Sequence, residues 1–259
     1  MTLEATDVVL FRLPKEHAQL DDCEDAASFD RQAGLFAVAD GATSSPRAGE
    51  WATWLSRGFV SDPFCLSDGD AFGPWLDRQL ATWSEHDEQS PPVASGWWTS
   101  EVERRGSWST VNMCQLSTSS DADCVRVGSI GDALTFVIRA GGIADTFPRA
   151  SPGEFNSTPE LVGSVVGARD RAIGAYEHAT LATRAGDVIL MCTDALAEVV
   201  LRDGRGNSDL LEVVTRVDDS GFAELIARAR EHGAILDDDV TMLRFRLRDP
   251  DEEAAHGQT

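Results

Sequence analysis

Lysine is almost absent from this chain. Lys15 is the only one in 259 residues, and 22 Lys and Arg stand against 44 Asp and Glu for a net charge of −22. Neutralising phosphates needs a basic face that such a chain lacks, which argues against nucleic acid and anionic membrane surfaces as partners. The five cysteines, at 23, 65, 114, 124 and 192, show no Cys-x-x-Cys spacing, and three lie within apolar runs. That usage excludes a disulfide framework and a zinc site. No window approaches the roughly 20 apolar residues that span a bilayer. The N-terminus has no charged region followed by an apolar stretch and a cleavage site, so a cytoplasmic location is expected. The histidines at 17, 86, 178, 232 and 256 form no ligand pattern, and Ser109 has no evident histidine partner, which removes triad chemistry.

Acidic residues stand at the boundaries of four hydrophobic runs. They are Glu24-Asp25, Asp40-Gly41 after Leu35–Ala39, Asp194 after Val188–Thr193, and Asp237-Asp238-Asp239 before Val240–Leu243. Hard divalent cations take oxygen ligands, and a two-ion site needs several carboxylates converging from distant segments. The pattern suggests a metal-dependent phosphate hydrolase. Each acidic site also has an ordinary structural explanation: a turn at Asp40-Gly41, a helix cap at Asp194, a loop at Glu24-Asp25 and a solvated charge run at 237–239.

Strand-like segments recur at 7–13, 34–39, 109–117, 122–130, 133–139, 176–183, 187–193 and 239–247. In the last, Thr241, Leu243, Phe245 and Leu247 share a face while Arg244 and Arg246 take the other, which predicts one solvated side. The runs at 35–39 and 188–193 do not alternate, which predicts strands covered on both faces by stacked sheets or by helices. Helical spacing marks Trp51 to Phe59, 70–86, 195–201, 208–217 with Ser208 as a cap, and Phe222 to Ala229. The tryptophan-rich region, with Trp75, Trp83, Trp97 and Trp98, reads as a packed helix rather than a flap over a site. With no linker or repeat, the expectation is one domain over 1–248 and an acidic disordered tail over 249–259.

Six motifs in order resemble the metal-dependent protein phosphatases of type 2C, the PPM family, in its bacterial form. They are Glu24-Asp25-Ala26, Phe36–Gly41, Gly106–Thr110, Val127–Ala133 followed by Ile138–Gly142, Gly186–Asp194, and Asp237–Thr241. The resemblance implies an α+β fold, a four-layer α-β-β-α sandwich of two antiparallel sheets flanked by helices. It implies a centre of two Mn²⁺ or Mg²⁺ ions. Asp40 would bridge them, Glu24 and the Gly41 carbonyl would serve one ion, and Asp194 and Asp238 the other. Asp25 would orient the attacking water. Asp239 takes the place of the family's asparagine, and Asp132 is expected to shape a hairpin. The implied activity is hydrolysis of phosphoserine and phosphothreonine by a metal-activated water without a phosphoenzyme. The implied partner is a phosphoprotein, such as the product of a cognate Ser/Thr kinase.

Four positions depart from the family pattern. Leu20 stands where an arginine commonly holds the substrate phosphate, leaving Arg12, Lys15 or Arg47 to reach in from elsewhere. Ala42 stands where some members carry a histidine, and Ala195 where a glycine is usual. Arg105 replaces an acidic residue associated with a third ion, so either Glu101 or Glu103 substitutes, or Arg105 meets substrate phosphate, or the third site is absent. These departures motivate the alternative of a catalytically weak or inactive phosphatase-fold module that binds phosphopeptides.

Overall fold

The computed structural model describes residues 3–90, 106–117, 123–151, 155, 158–204 and 208–250. Its frame is two five-stranded antiparallel sheets. The first has the order β1-β12-β11-β7-β8, built from β1 (Glu4–Leu13), β7 (Leu134–Arg139), β8 (Gly142–Phe147), β11 (Val188–Cys192) and β12 (Val240–Arg248). The second has the order β10-β6-β5-β3-β2, built from β2 (Asp25–Asp30), β3 (Leu35–Asp40), β5 (Val111–Leu116), β6 (Cys124–Ile130) and β10 (Glu177–Ala182). The short strands β4 (Trp108–Ser109) and β9 (Val162–Gly163) pair separately.

Three apolar layers hold the frame together. Between the sheets lie Phe36, Val38, Cys114, Val127, Val137, Ile189, Met191, Leu243 and Phe245. At the middle of this layer the Phe36 and Phe245 rings stack with centroids 3.9 Å apart. Against the outer face of the second sheet pack α1 (Ala48–Ser61) and α2 (Gly69–Gln89), through Trp51, Leu55, Phe59, Trp75 and Trp83. Trp51 and Trp83 meet edge-on at 5.0 Å, so Trp75 and Trp83 belong to the core rather than a flap, while Trp97 and Trp98 lie outside the described residues. A short helix, α3 (Arg169–Ala175), joins this layer through Ala172. The outer face of the first sheet carries α4 (Asp194–Gly204), α5 (Ser208–Arg216) and α6 (Asp219–Glu231), with Leu196, Val200, Leu211, Val214, Phe222 and Ile226 buried. The result is the α-β-β-α sandwich, in which non-alternating strands such as β3 and β11 are buried on both faces.

The side of β12 that its alternation predicted to be solvated reaches solvent at Arg246 but not at Arg244. Arg244 is buried, and its guanidinium donates to the carbonyls of Val214 at 2.9 Å and Val217 at 3.1 Å. It thus satisfies orphan acceptors at the C-terminal end of α5, where the helix dipole favours a cation. β2, β8, β9 and α3 were not foreseen. β2 reads Asp-Ala-Ala-Ser-Phe-Asp and carries no apolar run; it is a strand because β3 pairs with it along its whole length. The side chain of Ser208, and residues 251–259 of the expected tail, lie outside the described residues.

Cutting Phe36 to Ala removes one ring of the inter-sheet stack from a fully buried position. The expected cost is about 3–5 kcal/mol, read from the urea midpoint of the metal-free protein.

Candidate metal centre

Register decides what meets at the open edge of the sandwich. β2 and β3 are antiparallel, and Asp25, the first residue of β2, lies directly opposite Asp40, the last of β3. Side chains at directly opposed positions sit close together, and like charges there repel. β11 ends at Cys192, two residues before Asp194 opens α4, while Asp238 and Asp239 immediately precede β12, which pairs with β11. The acidic residues are therefore delivered from both sheets to one place. Asp25 opens its strand, whereas Asp40 closes its own.

Asp25 is 1% exposed. Its Oδ2 accepts the Thr193 hydroxyl at 2.8 Å, and Thr193 Oγ1 accepts the Thr241 backbone N–H at 3.0 Å. Burial pushes the Asp25 carboxyl up to about 7; the Thr193 bond opposes this and the charges of Asp239 and Asp194 add to it. Asp40 is driven well above the usual carboxylate range, first by burial and then by Asp25, Asp194, Asp238 and Asp132. Asp194 is raised by burial and by Asp238, with some relief from a hydrogen bond to Asp40. Asp132, read as a hairpin residue, also faces this cluster: burial and Asp194 push it up to about 7.

The backbone at the site is tightly held. Gly41 N–H donates to the Glu24 carbonyl at 3.1 Å, and Thr110 N–H and Ser109 Oγ each donate to the Asp40 carbonyl at 2.8 Å. A Cβ on Gly41 would lie 2.6 Å from the Ala48 carbonyl carbon and 2.8 Å from the Glu24 oxygen, so only glycine fits. Ser109 is thus a structural residue, its hydroxyl spent on backbone carbonyls.

The Asp237-Asp238-Asp239 run divides its labour. Asp237 accepts the Glu16 N–H at 2.8 Å. Asp239, buried, accepts the Lys15 N–H at 2.9 Å and the Glu24 N–H at 2.7 Å, so it clamps two loops rather than facing an ion. Asp238 keeps its side chain half-exposed and pairs with Lys15. Lys15 Nζ lies 3.1 Å from Glu24 Oε2, 3.3 Å from Asp238 Oδ1 and 2.7 Å from Thr43 Oγ1. Burial alone would lower its pKa, but the hydrogen bond to Glu24 and the charges of Asp238 and Glu24 together hold it above the ordinary lysine value. Sequence reasoning missed Arg230 on α6, whose guanidinium donates to the Pro14 carbonyl at 3.0 Å and the Asp238 carbonyl at 2.6 Å. Nothing in the spacing of residues 14, 230 and 238 signals that contact.

The donors suit hard divalent ions, being carboxylate and backbone oxygens. Asp25 Oδ1 is buried without a hydrogen-bond partner, and so fits a further polar group in the site. Among the described residues, no three His, Cys, Asp or Glu side chains are arranged as a ready metal cage. Lys15 engages two of the expected ligands. Of the three candidate phosphate-binding cations, Lys15 alone pairs with expected ligands, since Arg47 pairs with Glu50 and Asp87. Leu20, 54% exposed, instead lines a groove of about 1120 Å³ with Arg12, Arg47 and Trp54 that reaches Glu24. Glu101, Glu103 and Arg105 lie outside the described residues. No helix among the described residues is long and apolar enough to cross a membrane.

A family model described as Stage II sporulation protein E (SpoIIE) matches residues 109–248, more than half of the chain. The chain belongs to the family this model defines and, with it, to the PPM-type phosphatases. Among solved structures it is similar to the serine/threonine phosphatase PstP/Ppp of Mycobacterium tuberculosis, at 16% identity and a TM-score of 0.61 over 96% of this chain and 100% of that one. It is also similar to the serine/threonine phosphatase Stp1 of Staphylococcus aureus, at 14% identity and 0.64 over 96% and 98%. PppA, a key regulatory component of T6SS in Pseudomonas aeruginosa, is similar at 18% identity and 0.60 over 95% and 99%. At these identities the likeness concerns the fold. No curated protein matches the chain.

A carboxyl whose pKa is raised by folding costs stability as it ionises. The cost is absent below the unfolded value near 4, grows as pH rises, and is complete above the folded value of about 7. Asp25→Asn removes an ionisation but can still accept the Thr193 hydroxyl. In chelator, its melting temperature relative to the parent protein should therefore climb between pH 4 and pH 8. Parallel curves across that window would show that Asp25 does not carry the shift.

Proposed function

We propose that this chain is a Mn²⁺- or Mg²⁺-dependent protein phosphatase that hydrolyses phosphoserine and phosphothreonine. The observation that supports it most is the cross-strand pair of buried Asp25 and half-buried Asp40 with Asp194 beside it, an arrangement that repels itself unless a cation or protons intervene. We read residues 1–248 as one phosphatase domain and its substrate as a phosphoprotein supplied by a Ser/Thr kinase.

Two divalent ions, when bound, would make hydroxide available near neutral pH and offset charge on the phosphoryl group. Asp40 would hold both, Glu24 and the Gly41 carbonyl one, and Asp194 and Asp238 the other. Asp25 would orient the attacking water, with Thr193 fixing its carboxylate and Thr241 N–H fixing Thr193. The Asp194 carboxylate also sits at the first turn of α4, where its charge meets the positive end of the helix dipole. Lys15 would supply the positive charge that Leu20 cannot. The alternative is a phosphatase-fold binding module of little or no turnover, favoured by the exposed Leu20 and the absence of a ready cage among the described residues.

The test is phosphate release from a phosphothreonine peptide with Mn²⁺ and with excess chelator. We expect metal-dependent turnover, abolished by Asp40→Asn in a protein that still melts cooperatively. Asp25→Asn should lose about 10–100-fold in kcat, as for a residue that orients rather than ligates. No release with Mn²⁺ or Mg²⁺, from the peptide or a simple aryl phosphate, would favour the binding module.

A further inference from the structure

We propose that Lys15 is a tethered counter-cation of this centre. In the metal-free protein its ammonium joins Glu24 to Asp238, and divalent ions displace it as they bind. The inference rests on the two-ion reading above and adds that the ligand set is occupied from within before metal arrives.

The geometry is unlike that of a surface ion pair. Glu24 directly precedes β2 of one sheet, and Asp238 lies just ahead of β12 of the other. They are assigned to different ions, yet one ammonium lies 3.1 Å from the first and 3.3 Å from the second, with Thr43 Oγ1 at 2.7 Å. The peptide carrying this ammonium is fixed from several sides. Lys15 N–H is held by Asp239, Glu16 N–H by Asp237, the Pro14 carbonyl by Arg230, and the Lys15 carbonyl by Ala18 N–H at 3.1 Å. The backbone cannot withdraw, but the four-carbon stem can swing while its root stays in place. Lysine suits this role, because its charge is a compact point on a flexible stem.

Displacement follows from charge. An ammonium and a divalent ion cannot share the same Glu24 and Asp238 oxygens at contact distance without strong repulsion between them. An ion that takes the oxygens Lys15 touches therefore releases it from at least one carboxylate, and the work of doing so weakens the apparent affinity for the ion. The released ammonium remains beside the centre.

Because Lys15 is the only lysine, a ¹³C-lysine label places a single side-chain ε resonance on the unmodified protein. Mg²⁺ is titrated against it while binding is followed in parallel by calorimetry. We expect the resonance to shift with the same midpoint as the heat. Lys15→Met, which keeps the stem and removes the charge, should bind Mg²⁺ on the order of tenfold more tightly. A resonance that stays still while heat reports binding overturns the proposal, whether or not the variant folds. So does a folded variant whose affinity equals the parent's or falls below it. Absence of Mg²⁺ and Mn²⁺ binding in both proteins would instead remove the two-ion reading itself.

Discussion

The structure turns on placing two carboxylates opposite each other on adjacent strands. Asp25 and Asp40 face each other because β2 and β3 pair in register over six residues, and a shift of one residue would turn every side chain of β2 to the other face. That register is locked from both sides. Ala26, Ala37 and Ala39 pack under α1, while Phe36 and Val38 pack against the opposite sheet. Apolar burial over both faces thus sustains a polar arrangement that is unfavourable on its own. Strain at a functional edge persists where the surrounding core over-determines it.

The acidic residues around that pair fall into distinct physical roles although they share one chemistry. Asp239 and Asp237 spend their oxygens on backbone N–H groups and shape the loops. Asp25 is buried and steadied by a hydroxyl that is itself steadied by a backbone donor. Asp194 accepts the Ala195 N–H at the start of its own helix, and Asp238 stays accessible to solvent. The clamps are what make the rest possible: without Asp239 on the Glu24 N–H, and Arg230 on the carbonyls of Pro14 and Asp238, Glu24 and Asp238 would sit on untethered loops.

Much of this was legible in the sequence wherever one residue type reports one environment. The non-alternating runs at 35–39 and 188–193 announced doubly covered strands, and the order of acidic residues announced a carboxylate site. What escaped were features created by partners distant in the chain. β2 has weak strand character and is made a strand by β3; Arg244 looks solvated until α5 arrives with unsatisfied carbonyls; Asp239 looks like one more member of a charge run until the N–H groups of residues 15 and 24 reach it. Asp132 was read as a hairpin residue because the turn explains an aspartate locally, while its nearness to Asp194 is a tertiary fact.

Charge also constrains the state of the centre. Glu24, Asp25, Asp40, Asp132, Asp194 and Asp238 surround a region in which Lys15 supplies one positive charge against Glu24 and Asp238. One ammonium cannot balance them, and burial first, then the neighbouring carboxylates, raise the pKa values of Asp25, Asp40, Asp132 and Asp194, which favours their protonated forms. Protonated carboxyls are poor ligands and poor bases. On the proposed two-ion reading, protons and divalent ions would therefore compete near neutral pH for the same oxygens, and the doubly charged ion would bring more charge to each of them.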